Sequence, residues 1–387
     1  MEEYLTEWLA AKSRILRPTT HRGYTQQVQQ YLIPYLGHYR LERLGAVHVR
    51  RAFEKIAQEA EDIAEANAAR HAVLAASKKA WRDHNPGAAR AARELLATMP
   101  PFRRPASAAT IQRIRAALRS ALTDAVNEQL ITMNVASLVK LPSGKPPRPK
   151  VWTDARVEVW RTSGVTPYPV MVWTAEQTAA FLERASRHRL FALFLLAAHC
   201  GLRRGEVCGL RWQDVDFKAR SIEINQQIVQ VGYHPTIGAT KTEAGARALM
   251  LAKPVVVAVT EHRAAQRREA GKFGDAWLDT GLVFTNRDGT PLQPGRITDL
   301  FARLAREAGL PPIRLHDLRH GTATHALSAG VAIKVVSEML GHSTTAITAD
   351  LYTSVVDEAK RHAANAIAAQ LERKMDGSGQ PSRMRAA

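Results

Sequence analysis

A cluster of prolines near the middle of the chain divides its 387 residues into two parts. Six prolines fall between positions 141 and 169, namely Pro142, Pro146, Pro147, Pro149, Pro167 and Pro169. Proline removes a backbone donor and fixes φ, so such a stretch does not continue as a regular helix or strand. The pattern predicts an extended linker over residues 142–170, with a separate domain on each side.

Positive charge is the first indication of a partner. The chain has 54 Lys and Arg against 36 Asp and Glu, which gives a formal net charge of +18. An excess of this size is typical of proteins that bind nucleic acid, because each phosphate contact releases counterions. Charge alone leaves a ribosomal, chromatin or membrane-surface protein open.

The compartment is indicated by cysteine usage and by hydropathy. Cys200 and Cys208 are the only cysteines, too few for a disulfide framework or a zinc cluster, so a reducing compartment is favoured. The longest apolar run, residues 190–199, is too short to span a bilayer. The start of the chain is acidic and lacks the order of a signal peptide. We expect a cytoplasmic protein with no membrane association.

The first part, residues 1–141, is predicted to be a helical domain. One helix begins near Thr110, and its apolar residues fall on a single face. These are Ile111, Ile114, Leu118, Leu122 and Val126. Three arginines lie toward its other side, Arg113, Arg115 and Arg119. They are candidates for contact with DNA phosphates, and a plain solvated face is the alternative. The Ala-rich stretch 61–104 predicts a helical hairpin inserted into this domain.

The second part, residues 171–374, is predicted to mix helices with a small antiparallel sheet. Thr174 and Gln177 form a capping-box pattern that predicts a helix start. Strands are predicted around Ile222–Ile224, at 228–229 and at 248–251, with glycine-containing turns between them. Residues 375–387 are expected to be a flexible tail. The fold class is therefore mainly α with a small antiparallel β-sheet.

Motifs for nucleotide or metal chemistry are missing from the sequence. It contains no Gly-rich loop ending in Gly-Lys-Ser/Thr and no His-Glu-x-x-His. No run of Asp, Glu and His would hold the two metals of a nuclease. We expect no cofactor and no metal site. What remains is an ordered set of cations with one tyrosine.

That ordered set resembles the catalytic domain of the tyrosine recombinases, the phage-integrase family. The segment Gly-Leu-Arg-Arg-Gly-Glu at 201–206 resembles the first arginine box of the family, and Thr-Lys-Thr at 240–242 its β-hairpin lysine. His316-x-x-Arg319 is similar to the second box, and Gly341-His342 to the position that His or Trp holds. Tyr352, ten residues later, resembles the nucleophile. In the first part, Glu7-Trp8-Leu9 and Pro34-Tyr35-Leu36-Gly37 resemble the family's helical core-binding domain.

The resemblance implies a catalytic set and a reaction. Its members are Arg203, Lys241, His316, Arg319, His342 and the nucleophile Tyr352, with Glu206 as a buried support. The implied enzyme is a site-specific recombinase that cleaves and rejoins DNA without metal or ATP through a 3′-phosphotyrosyl link. Its implied partners are double-stranded attachment sites and three further copies of itself in a tetramer, and an excision factor is a further candidate.

The residue types fit this chemistry. Arg203 and Arg319 offer planar forks for phosphate oxygens. Tyrosine has an ordinary pKa of about 10, so Tyr352 needs a positive surround or a base, for which His316 is the candidate. Lys241 would act as general acid, and His342 as a donor to the phosphate.

Two alternative functions stay open at this point. A type IB topoisomerase uses a similar set of Arg, Lys, His and Tyr to nick and swivel DNA. A DNA-binding regulator could keep the same fold without catalysis. The family's arm-binding domain is not visible before Met1, so either the enzyme works without it or this chain lacks it.

Overall fold

The computed structural model describes residues 1–142, 147–232, 234–239 and 245–349. The chain forms two compact units, Met1–Pro146 and Pro147–Ala387. Helices dominate both units and the sheets are small, which confirms the predicted fold class. No helix in the described ranges is both long and apolar enough to cross a membrane. The predicted tail at 375–387 lies outside these ranges.

The regular elements among the described residues of the first unit are helices. Its helices are α1 (Glu2–Lys12), α2 (Pro18–Gln27), α3 (Ile33–Leu36), α4 (Ala46–Arg82), α5 (Pro86–Thr98) and α6 (Ala108–Asn127). The side chain of Ser107 accepts a hydrogen bond from the backbone N–H of Thr110 and so caps the N-terminus of α6. Ile114, Leu118 and Leu122 are fully buried in the core, as their spacing predicts.

The long helix α4 extends beyond this core. It has 37 residues, and Val49, Phe53 and Ile56 in its first three turns are buried against the other helices of the unit. The rest of α4 pairs with α5 as a helical hairpin, joined by a tight turn at Asn85. The stretch 61–104 is thus the second half of α4, then α5 and the segment that follows it.

The second unit combines helices with short strands. Its helices are α7 (Asp154–Ser163), α8 (Ala175–Ser186), α9 (Phe191–Cys200), α10 (Arg204–Gly209), α11 (Lys253–Phe273), α12 (Pro294–Glu307), α13 (Leu315–Ser328) and α14 (Ile333–Leu340). Its strands are β1 (Lys150–Val151), β2 (Met171–Val172), β3 (Val215–Asp216), β4 (Ser221–Ile224), β5 (Gln226–Val231), β6 (His234–Ala239) and β7 (Arg247–Met250). The apolar helix α9 lies in the core of this unit.

Local signals in the sequence locate several of these elements. Thr174 caps α8, and Gln177 returns a hydrogen bond to the Thr174 backbone, as the capping-box pattern predicts. Strands β3, β4 and β7 form one antiparallel sheet, and β5 pairs with β6 as a hairpin. The predicted strands near 222, 228 and 248 are thereby confirmed. An additional pair, β1 with β2, is parallel.

The structure differs from the linker prediction over residues 150–170. This segment contains β1 and α7 and leads into β2, within the second unit. Trp152 is fully buried, and its indole N–H donates to the carbonyl of Pro312 at 3.2 Å. Burial of the apolar residues between the two proline clusters therefore outweighs the tendency of the flanking prolines to prevent regular structure.

Candidate active site

A left-handed glycine places the first arginine box. Helix α9 ends at Gly201, whose φ of 60° allows the chain to turn sharply into α10. A Cβ atom at this position would lie 2.4 Å from a methyl carbon of Leu340, so any side chain here would displace that methyl and would also be strained by the positive φ. Arg203 then stands at the N-cap of α10.

Glu206 is a buried carboxylate shared by two arginines. It accepts from the backbone N–H of Arg203 at 2.9 Å and from its guanidinium at 2.6 Å, and Arg247 donates to it at 3.0 Å. Glu206 is only 2% exposed. Burial by itself raises the pKa of this carboxyl, but the hydrogen bonds and charges of Arg247 and then Arg203 leave it below the ordinary value. Glu206 is therefore ionised.

Three arginines bind three successive carbonyl oxygens at the end of α14. Arg247 Nε donates to the carbonyl of residue 339 at 2.7 Å, and Arg203 Nη2 donates to that of residue 341 at 2.9 Å. Arg319 Nη2 donates to the carbonyl between them, that of Leu340. The last carbonyls of a helix have no partner inside the helix and carry the negative end of its dipole. This helix end therefore gathers the three cations.

The three guanidinium groups differ in exposure. Arg319 is 3% exposed and also donates to the carbonyl of Gly201 at 2.7 Å. Burial, followed by the charge of Arg203, lowers the pKa of Arg319 to about 9, so the residue stays protonated at neutral pH. The Arg247 side chain is 7% exposed, whereas that of Arg203 is 31% exposed. Arg203 thus offers the accessible surface of the cluster, and the other two add charge beneath it.

Two histidines lie on the first turns of α13, next to Arg319. The rings of His316 and His320 are 5.1 Å apart and nearly perpendicular. Burial, then the neighbouring His320 and Arg319, lowers the pKa of His316 to about 4, although part of the residue stays exposed. His316 is therefore neutral at pH 7 and can accept a proton.

His342 follows directly after α14. Gly341 ends that helix in the left-handed conformation with φ of 62°, as the sequence predicts for a C′ glycine. Nδ1 of His342 lies 2.8 Å from the hydroxyl of the buried Thr348. Burial and then the charges of Arg319 and Arg203 lower the pKa of His342 to about 4. Since Nδ1 is engaged, Nε2 is the ring nitrogen left to meet a ligand.

The structure brings together most of the predicted residues that it describes. Arg203, Glu206, Arg319 and His342 meet at the end of α14, and His316 lies one helical turn from Arg319. Two members, Lys241 and Tyr352, lie outside the described residues. The arginines of α6 belong to the other unit. Arg113 and Arg119 are exposed there, whereas Arg115 donates to the carbonyls of residues 136 and 137.

Sequence reasoning missed Arg247, Thr348 and any role for His320. Arg247 is the first residue of β7, six positions after Lys241, and a single Arg in a strand pattern gives no sign that it is buried. Nδ1 of His320 is buried with no hydrogen-bond partner within the described ranges. Arg247 directly precedes the strand predicted at 248–251, so no signal within that pattern could have indicated it. In the same ranges no three His, Cys, Asp or Glu side chains group as metal ligands would.

Two family models match this chain. The phage integrase family matches residues 172–359, and the N-terminal SAM-like domain of phage integrases matches residues 1–56. A tyrosine recombinase XerC-like protein of Caldanaerobacter subterraneus subsp. tengcongensis is 29% identical over 249 residues, 61% of this chain. The chain spans 60% of that relative. An integrase of Saccharopolyspora erythraea is 23% identical, over 89% of this chain and 76% of the relative.

Solved structures share the fold. A Tn1549 transposon integrase in complex with transposon right end DNA aligns over 94% of this chain and 99% of its own, with a TM-score of 0.60 and 18% identity. A lambda integrase tetramer bound to a Holliday junction aligns over 90% of this chain and 76% of its own, with a TM-score of 0.53 and 16% identity. At these identities the likeness is one of fold.

Proposed function

Because the chain belongs to the phage integrase family, we propose that it is a site-specific recombinase that cleaves and rejoins duplex DNA. The observation that carries this proposal is the meeting of Arg203, Arg319 and His342 at the end of α14, with Glu206 beneath. The residues implied by the family resemblance are thus close in space, although they lie up to 139 positions apart in the chain. The integration or excision of a mobile element is the proposed outcome.

The arginine cluster supplies the charge that phosphoryl transfer needs. Three guanidinium groups and one described carboxylate, that of Glu206, lie at the end of α14, so the cluster carries two positive charges in excess. Cations fixed in advance stabilise the charge that develops on phosphate oxygens in the transition state. Arg203 would meet the phosphate directly, and His342 would donate from Nε2.

The proposed chemistry conserves the energy of the phosphodiester. The Tyr352 hydroxyl attacks phosphorus, its proton passes to His316, and a bond forms between phosphorus and the tyrosine oxygen. The bond to the 5′ oxygen breaks, and Lys241 protonates that oxygen as it leaves. Attack by a 5′ hydroxyl on the phosphotyrosine reverses these steps and joins the strand. No nucleotide is consumed.

The proposed partners follow from this reaction. Two duplex attachment sites would be held by four copies of the chain, since the exchange of two pairs of strands needs four nucleophiles. The enzyme would act in the cytoplasm of a bacterial cell, where its DNA is. An excision factor is a further proposed partner that would set the direction of exchange.

Covalent trapping tests this function. Wild type and Tyr352→Phe would be incubated without metal on nicked duplexes built from the DNA flanking the gene, then run on a denaturing gel. We expect an SDS-resistant adduct with wild type alone, which a partner site converts into recombinant DNA. An equal adduct in both proteins would exclude Tyr352 as nucleophile. Relaxation of supercoiled DNA without recombinant would favour a topoisomerase, and tight binding without any adduct would favour a regulator.

A further inference from the structure

The helical hairpin that follows Ile56 is not covered by either family match. The matches end at residue 56 and resume at 172, whereas the hairpin runs from residue 57 to 104. We call residues 57–104 the arm. From Ile56, the last residue of α4 in the core, to Arg82 at its end, the helix rises about 39 Å.

The arm is clamped at its base. The amide of Asn67 on α4 donates to the carbonyl of Arg103 at 2.6 Å and accepts from its N–H at 3.3 Å. Arg70 donates to the carbonyl of Leu96 near the end of α5 at 2.9 Å. At the far end Asn85 caps α5 through the N–H of Ala88. The bonds of Asn67 and Arg70 thus join the two halves of the arm at its base, and the Asn85 cap fixes the start of α5 at the far end.

Charge is segregated along α4 within the arm. Residues 57–69 include the acidic side chains Glu59, Glu61, Asp62 and Glu65, and no Lys or Arg. Residues 70–82 include the basic side chains Arg70, Lys78, Lys79 and Arg82, and no Asp or Glu. Arg70, Arg103 and Arg104 lie at the base of the arm. We call residues 57–69, which are acidic on α4, the stem, and residues 78–82, which are basic, the tip.

The cations of the tip are available to a partner. Lys78, Lys79 and Arg82 are exposed and form no ion pair within the part of the chain that the structure describes. On α5 the guanidinium of Arg93 lies 5.1 Å from the ring of Trp81, while Arg90 pairs with Glu94. Ion pairs within the protein therefore do not neutralise the basic surface of α4.

We propose that the tip of the arm binds DNA phosphates about one helical turn outside the DNA that the rest of the enzyme holds. This inference rests on the proposed function. A reach of about 39 Å corresponds to about 11 base pairs. The basic tip is attracted by the phosphates, whereas the stem with its neighbours Arg70, Arg103 and Arg104 carries no net positive charge, so contact is confined to the tip. The contact carries no base readout and adds affinity at any flanking sequence.

The size of the effect follows from the number of cations. Three phosphate contacts steepen the dependence of log K on log salt by about 2.7. A fourfold rise in salt therefore removes about 40-fold of the affinity that the flanks add.

Two duplexes and one variant test the inference. The short duplex is the shortest DNA that still yields the covalent adduct, and the long duplex has 15 further base pairs at each end. We expect wild type to bind the long duplex more tightly, with the steeper salt slope. The variant K78Q/K79Q/R82Q should lose that gain and bind the short duplex as wild type does. All three positions are exposed and glutamine favours helices, so the fold is kept.

A matched control removes the same charge elsewhere. R267Q/R268Q/K272Q neutralises three exposed residues of α11 in the second unit and should keep the difference between the duplexes. An equal loss in both variants would assign the effect to net charge and overturn the inference. Equal slopes of log K against log salt for wild type on the two duplexes would also overturn the inference while leaving the proposed function intact. If no duplex yields an adduct, the proposed function and this inference both fail.

Crosslinking locates the contact. Cys200 and Cys208 are buried, so Arg82→Cys creates the accessible thiol for a photoreactive label. The labelled tip should crosslink to the flank of the long duplex about 11 base pairs outside the short one, whereas Glu65→Cys on the stem should not. Crosslinks from the tip to a second copy of the chain, and none to DNA, would show that the arm contacts protein instead.

Discussion

Replacement of Arg247 tests whether the buried ion cluster holds the site together. Its guanidinium donates to Glu206 at 3.0 Å and to the carbonyl of Met339 at 2.7 Å, with 7% of the side chain exposed. Removing one partner of a buried ion pair costs about 3–5 kcal/mol, since the other charge is left uncompensated. Because Arg203 still binds Glu206, we expect Arg247→Met to cost about 3 kcal/mol of unfolding free energy, the lower end of that range.

Denaturation of the full chain measures this loss. For a domain of this size, about 3 kcal/mol lowers Tm by about 6–12 °C. Glu206→Gln should cost as much or more, because it leaves Arg247 buried without its anion. The double variant E206M/R247M should cost less than the sum of the two single losses, because neither buried member of the pair is left without the other and Arg203, which also loses Glu206, is partly exposed. Arg90→Met breaks an exposed pair and should cost less than about 1 kcal/mol.

The stabilisation by ionised Glu206 should also depend on pH in a defined direction. The folded pKa of Glu206 lies below its unfolded value of about 4.3, so its stabilisation is present above that value and is lost as pH falls through the folded pKa. The advantage of wild type over Glu206→Gln should therefore persist at pH 5 and shrink below pH 4. A loss under about 1 kcal/mol for Arg247→Met, or additive losses in the double variant, would refute the reasoning.

Three further predictions concern packing, protonation and the orientation of a histidine. Gly209→Ala should destabilise the fold by more than 1 kcal/mol in urea denaturation, because its Cβ would lie 2.9 Å from backbone atoms of β5, whereas Gly238→Ala meets nothing within 4 Å and should be neutral. The free energy of unfolding should fall as pH drops from about 6.5 toward 4, since buried neutral histidines must take up protons. His342→Gln should reduce this pH dependence in urea titrations at pH 7 and 5, and an unchanged pH dependence would contradict the prediction. Thr348→Val should slow adduct formation about fivefold with unchanged DNA binding, because it removes about 1 kcal/mol of hydrogen bonding to His342; the exposed Thr344→Val is the control, and equal rates in both would contradict it.

Local signals made part of the fold predictable. The capping box at Thr174 and the C′ glycine at Gly341 act through backbone groups within a few residues, so a short window of sequence contains the whole cause. The apolar face of α6 is predictable for the same reason, because a single helix repeats its contacts every three or four positions.

Long-range burial decided the rest. The proline content of 142–170 favours a linker, but Trp152 is buried against the carbonyl of Pro312, which is 160 positions away. Arg247 belongs to the site because β7 lies near α14. No spacing of residues in the sequence indicates that these two elements are adjacent. The arginine boxes were found only because a family resemblance supplies the long-range contacts that periodicity cannot.

The cluster keeps its positive charge because its arginine side chains are held mainly by backbone carbonyl oxygens rather than by carboxylates. The carbonyls of residues 339, 340 and 341 each accept from a different arginine, and they fix the directions of three side chains without adding a full negative charge. A carboxylate at each place would hold the arginines equally well but would neutralise them. Among the described residues of the cluster Glu206 is the one carboxylate, so the three arginines and Glu206 together carry a net charge of +2. The end of α14 therefore fixes the cations in place and leaves their charge for a phosphate.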